Sequence, residues 1–145
     1  MIKLMFITND PTIALGAEQA GVDRIFIDLE QVGKESRQGG MDTVQSNHTV
    51  SDVAVMRGIL TKAELLVRVN QIYWNSESEI DAVIEAGADV VMLPYFKSVQ
   101  EVEYFLRFVG GRARTVLLFE TPEAVEHIDE ILALRDCSMG RHWPL

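Results

Sequence analysis

Short apolar runs alternate along this chain with longer stretches in which apolar residues recur at every third or fourth position, the two periods of buried strands and amphipathic helices. The runs Lys3–Thr8, Arg24–Asp28, Glu64–Val69, Asp89–Pro94 and Arg114–Phe119 predict five strands. Helices are expected between them: from Pro11 to about Ala20 behind a capping Asp10, across Thr49–Leu60 with Thr49 or Ser51 as cap, and from Ser76-Glu77-Ser78-Glu79 to Ala86. Two more are expected over Ser98–Val109 and from Thr121 onward, where Ala124, Val125, Ile128, Ile131 and Leu132 share one face. Residues 31–48 are polar, carry Gly33, Gly39 and Gly40, and predict a long loop of the kind that often serves function.

Apart from that loop, a βα unit recurs about every 25 residues, and nearly continuous apolar strands mean a parallel sheet covered on its faces. The chain also repeats itself, since Ala20-Gly21-Val22-Asp23 before one strand matches Ala86-Gly87-Ala88-Asp89 before another. Two α/β architectures fit, an open doubly wound sheet and part of a (β/α)8 barrel. Asn9-Asp10-Pro11-Thr12 stands where a dinucleotide fold would place its glycine-rich turn, so a dinucleotide site is disfavoured. Polar groups at the C-terminal ends of several strands are the habit of the barrel.

Composition narrows the function classes. A hydrophobic fraction of 48% with 24% charged residues is that of a globular domain. A formal net charge of −9, with 22 acids against 13 bases and no basic run, argues against nucleic acid and anionic membrane as partners. No apolar run reaches the roughly 18 residues that span a bilayer, and the short apolar stretch at the N-terminus reads as a strand rather than a leader. One cysteine, Cys137, with six methionines favours a reducing cytoplasm.

The candidate chemistry lies at one rim. Asp28 and Glu30 follow the second strand, Arg68 and Asn70 end the third, and Glu120 ends the fifth. Such carboxylates suit a hard divalent cation, and an arginine fork suits a carboxylate-bearing substrate. Acids at strand ends also cap helices or simply face water. Arg68 lies in an otherwise buried run, so it requires an acidic partner or ligand, with Glu64 or Glu30 as the structural choice. His48 is a candidate base or cap, His127 reads as surface, and His142 and Cys137 carry little chemistry. Tyr73-Trp74 could line a pocket or pack on a neighbouring helix or subunit.

The segments AGVDRIFIDLE, LLVRVN, EAGADVVMLPYFKSVQEVE and LLFETPEAVEHIDEI, in this order and spacing, resemble the HpcH/HpaI aldolase and citrate lyase beta-subunit family over about residues 3–133. The resemblance implies a barrel of the phosphoenolpyruvate/pyruvate-type TIM superfamily, and a metal-dependent carbon–carbon lyase acting through the enolate of a pyruvate-like 2-oxo or hydroxy acid. It implies that Arg68 binds substrate, that Glu120 is a ligand of Mg²⁺ or Mn²⁺, and that Asp28 and Glu30 lie in the catalytic shell around them; Asn70, at the same strand end as Arg68, is a further substrate-binding candidate. Three positions depart from the pattern. Gln31 replaces the histidine that follows the acids, Leu118 replaces a glutamine, and a second metal-binding aspartate would fall near residue 146, after the last residue, Leu145. The expected fold is therefore an incomplete barrel of about five βα units over residues 1–134, with residues 135–145 as an atypical tail of a truncated or frame-shifted relative. Unpaired edges and an exposed inner face lead to self-association as a homo-oligomer, and to an alternative function as a catalytically silent fragment or association module.

Overall fold

A computed structural model describes residues 1–32 and 47–139, the last five of these without their side chains. Most of the expected loop, with Gly33, Gly39 and Gly40, lies outside the described residues, as do His142 and the side chain of Cys137. The strands are β1 (Met5–Ile7), β2 (Arg24–Asp28), β3 (Glu64–Arg68), β4 (Val90–Leu93) and β5 (Arg114–Leu117). The helices are α1 (Pro11–Gln19), α2 (Val50–Ile59), α3 (Ser76–Glu85), α4 (Val99–Val109), α5 (Pro122–Glu126) and α6 (Ile128–Met139). All neighbouring strands pair in parallel, in the order β1-β2-β3-β4-β5. A doubly wound sheet reverses its strand order, and this one does not, so the sheet is an arc of a (β/α)8 barrel, unclosed among the described residues.

Alternation along the strands separates two apolar sets. Ile25, Ile27, Leu65, Val67, Val91 and Leu93 face the helices and pack with Val53, Met56, Ile80, Val83, Val102, Phe105 and Ile131 in the main core. Phe26, Leu66, Val90 and Met92 form a smaller cluster on the other face, joined by Val116 and Leu118. That second set is the inner wall of the arc. At its outer edge β1 packs poorly, with Met5, Phe6 and Ile7 exposed by 49%, 42% and 53%. Among the described residues β1 pairs only with β2, and β5 only with β4.

Helix starts follow side-chain chemistry. Asp10 accepts from the Thr12 and Ile13 N–H groups ahead of Pro11, and Thr49 and Ser98 each close a capping box with Asp52 and Glu101. Ser76 opens α3 as its first residue rather than capping it: it is buried, and its hydroxyl accepts from the Tyr73 N–H. The helix expected from Thr121 onward is broken at His127 into α5 and α6, and the second piece runs on to Met139. Among the described residues no helix is long and apolar enough to cross a membrane.

The internal repeat has a physical basis. After α1, Gly21 donates to the Glu18 carbonyl and Val22 to that of Ala17; after α3, Gly87 donates to Ile84 and Ala88 to Val83. Both are Schellman turns, with the glycines at φ +96° and +111°. The aspartate two residues later then accepts from the first strand of its pair: Asp23 from the Leu4 N–H at 2.9 Å, Asp89 from the Leu65 N–H at 2.8 Å. Each repeat thus ends a helix and pins the register of the next strand. Arg57 lies against Gly87 and reaches Asp89 at 2.7 Å.

Glu18 does similar work for β3. Its buried carboxylate accepts from the N–H groups of Thr61, Lys62 and Ala63 at 2.8–3.0 Å. The Ala63 bond leads the lowering of its pKa, which burial opposes and the other two bonds assist.

Two outcomes are expected. Gly21→Ala should cost about 1–2 kcal/mol from backbone strain alone, whereas Gly87→Ala should cost more, because a Cβ there would lie 2.4 Å from Cγ of Arg57; urea midpoints at unchanged slope give the comparison. Glu18 has a depressed folded-state pKa, so its stabilisation is complete above the ordinary glutamate range and is lost as pH falls through and below it. The stability gap between wild type and Glu18→Gln should therefore close on acidification from neutral pH toward pH ~3.

Candidate active site

The parallel register sets Asp28 directly opposite Arg68, and that juxtaposition builds the site. Arg68 Nε donates to Asp28 Oδ1 at 2.9 Å and Nη2 to Oδ2 at 2.7 Å, a two-pronged pair in which Asp28 is almost fully buried. Glu30 Oε2 stands 3.3 Å from the same Nε, and the guanidinium lies 5.5 Å above the Phe26 ring. Burial alone would lower the arginine's pKa, but the Asp28 bonds and charge, then the charges of Glu30 and Glu120, outweigh it and hold the guanidinium firmly protonated. Nη1 makes no hydrogen bond among the described residues, and the side chain retains 19% exposure.

The ion pair expected with Glu30 is present, but the partner suggested in Glu64 is not. Glu64 sits at the far end of β3, about 13 Å away at strand rise, and is held by Arg114 at 2.6 Å and Arg24 at 3.2 Å. Hydrogen bonding to Arg114 leads the lowering of its pKa.

Glu120 reaches the rim by a different route. Phe119 packs edge-on against Phe96 at 5.1 Å, and the Thr121 hydroxyl donates to the Phe96 carbonyl at 2.7 Å while capping α5. Held on both sides, Glu120 is exposed and accepts the Tyr95 N–H at 3.0 Å. Tyr95 has φ +50°, an unusual conformation for a residue with a side chain, and it aims that N–H.

Asn70 lies two residues beyond Arg68, and its side-chain oxygen accepts the Gln31 and Val32 N–H groups at 2.6 and 2.8 Å. His48 folds back to the same region, as a base or cap would require. Its Nδ1 accepts the Asp28 N–H at 2.9 Å, and burial leads the lowering of its pKa, so the ring is neutral at pH 7 with that nitrogen committed. His127 is exposed at the helix break, Trp74 is 92% exposed, and Tyr73 bonds Glu79. The roles of Tyr95 and Glu79 had no distinguishing signal in the sequence.

A divalent cation needs several oxygen ligands. Both Asp28 oxygens and one of Glu30 face Arg68, and among the described residues no three Asp, Glu, His or Cys side chains gather as a metal-holding group. Glu120 contributes one carboxylate. The described residues therefore do not by themselves fit a metal centre; what they do form is a charged, partly open arginine site at the C-terminal end of a barrel arc.

A parallel sheet arc of this order, with polar groups at the C-terminal ends of its strands, defines the (β/α)8-barrel class of fold. The HpcH/HpaI aldolase/citrate lyase family model matches residues 3–139, and the chain belongs to that family. Among solved structures, it is similar to an HpcH/HpaI aldolase from Desulfitobacterium hafniense DCB-2, with TM-score 0.66, 16% identity, and coverage of 92% of this chain and 59% of that one. It is also similar to 2,3-dimethylmalate lyase, a PEP mutase/isocitrate lyase superfamily member, with TM-score 0.54, 16% identity, and coverage of 94% and 58%. The chain thus spans somewhat under two-thirds of these relatives. A comparison with curated protein sequences finds no match.

Removing Arg68 should destabilise the fold. Arg68→Ala takes two charge-assisted hydrogen bonds and the neighbouring positive charge away from the buried Asp28 carboxylate and should cost about 3–5 kcal/mol, while the double change Arg68→Met with Asp28→Leu should be more stable than Arg68→Ala. Chemical unfolding of the three chains measures the difference.

Proposed function

We propose that this chain carries the anion-binding side of a carbon–carbon lyase site of the aldolase type, acting on a pyruvate-like 2-oxo or hydroxy acid by way of an enolate. The observation that carries the reading is Arg68, fixed by Asp28 and Glu30 yet with Nη1 making no hydrogen bond among the described residues and the side chain retaining 19% exposure. A fixed N–H donor on a permanent positive charge binds a carboxylate. It also stabilises negative charge that grows on an adjacent oxygen as a bond breaks. Asp28 and Glu30 orient the fork, so no reorganisation is needed when that charge appears.

Glu120 is the residue through which Mg²⁺ or Mn²⁺, the cofactor implied by the family resemblance, would be held. Its remaining ligands would come from substrate, water or groups outside the described residues. Gln31 cannot take a proton, and His48 has Nδ1 engaged by Asp28, so the described rim offers substrate binding and charge stabilisation more plainly than a base.

A second reading, association with other chains, draws on the exposed apolar strand β1 and the one-sided pairing of β1 and β5. In it the chain forms a homo-oligomer in the cytoplasm, without turnover of its own.

Pyruvate release from 4-hydroxy-2-oxo acids, followed with and without Mg²⁺ or Mn²⁺, separates the two. Release is expected, falling about 10–100-fold in Arg68→Lys, which keeps the charge but loses the fork. Absence of release from a folded wild-type chain under all conditions would refute the lyase reading, and a strictly monomeric species in analytical ultracentrifugation would refute association.

A further inference from the structure

Asn70 lies two residues beyond Arg68, the last residue of β3, where a substrate ligand was expected, yet its side chain is turned to other work. Its oxygen accepts two consecutive backbone N–H groups, those of Gln31 and Val32, immediately after Glu30. Its own N–H groups are gripped in turn by Glu79 of α3: the backbone N–H donates to Oε1 at 2.7 Å, and Nδ2 donates to Oε2 at 2.9 Å. The Tyr73 hydroxyl donates to that same Oε2 at 2.9 Å. Glu30, at the head of this tether, donates its N–H to Asp28 Oδ1 at 3.1 Å and sets its carboxylate 3.3 Å from Arg68.

We propose that Asn70 and Glu79 are positioning residues for Arg68: they peg the backbone just after Glu30 and so set the Glu30 carboxylate against the guanidinium. This rests on the reading of Arg68 as the substrate's anion site. The geometry favours positioning over a plain structural role because the bonds converge on one joint. Glu79 projects from the first turns of α3, where an acid near the helix start would be favoured whatever it touched. Here both of its oxygens are spent on the end of β3, two residues from Arg68. An amide is also well chosen for the middle of the relay. It can accept from the two N–H groups on one side while donating to a carboxylate on the other, a pairing that aspartate at position 70 would turn into repulsion.

The relay has a signature in the ligand-free chain. In Glu79→Gln the amide NH2 cannot accept from both Asn70 and Tyr73, so the tether loosens. Hydrogen exchange at Arg68 Nε–H and at the Gln31 and Val32 amides should then accelerate about 10-fold, with the urea midpoint changed little. Tyr73→Phe removes one bond to the same oxygen and should accelerate them less, in the same order; it also serves if Glu79→Gln does not fold. Glu79→Asp should restore part of the protection. Unchanged Arg68 Nε–H exchange in both Glu79→Gln and Tyr73→Phe, or acceleration only in proportion to global unfolding, overturns the proposal. Oxalate, a stable dianion shaped like the enolate of pyruvate, is titrated in parallel, with and without Mg²⁺ or Mn²⁺. If it fails to bind the wild-type chain, the lyase reading falls while the exchange result still decides the relay. If it binds, a weaker affinity in Glu79→Gln at unchanged stability is the expected companion.

Discussion

The pairing of Arg68 with Asp28 is the interaction on which the top of the sheet depends. A guanidinium cannot be left unpaired in a strand flanked by Val67 and Val69, both fully buried. Parallel register places one carboxylate opposite it, and a two-residue step along the chain brings a second in Glu30. The cost of drawing these charges from water is offset by geometry: two parallel hydrogen bonds, an aromatic face beneath and further negative charge nearby. The same arrangement that makes the arginine tolerable in the wall leaves Nη1 without a hydrogen bond among the described residues, so the device that holds the wall together is also the one proposed to bind an anion.

The two ends of the inner wall are built alike but for different ends. At the N-terminal edge, Glu64 lies between Arg24 and Arg114, tying β2, β3 and β5 with two cations around one anion. At the C-terminal edge the proportion reverses, with one arginine among Asp28, Glu30 and Glu120. The first arrangement closes on itself as a strut. The second carries surplus negative charge around a fixed cation, and that is where a barrel of this kind places its chemistry.

Much of the scaffold was legible in the sequence because it follows from local rules. Apolar runs, caps at Asp10 and Thr49, and glycines at 21 and 87 each act over a few residues, and the strands and helices fall where those signals stand. Arg68, Asp28 and Glu30 could be brought together on paper because parallel pairing of successive strands sets their level. What stayed hidden depends on contacts distant in sequence. Glu18 reads as an ordinary helix acid, and only the fold shows it buried beneath the Thr61–Ala63 backbone. Glu79 and Asn70 are likewise unremarkable letters until α3 is laid beside the end of β3. His48 and Tyr95 act through a ring nitrogen and a backbone N–H, neither of which a residue pattern encodes.

The twin turns at Gly21 and Gly87 bear on how such a chain could grow. Each ends a helix, and the aspartate that follows reaches back to the start of the neighbouring strand, so these two units carry the fastening for their own attachment. A segment with that property needs nothing from the far side of the barrel to find its level in the sheet. Copied end to end, such units would add strands in correct step one after another. The level of the strands in the described arc is therefore set in part by local fastenings rather than imposed wholly by a ring.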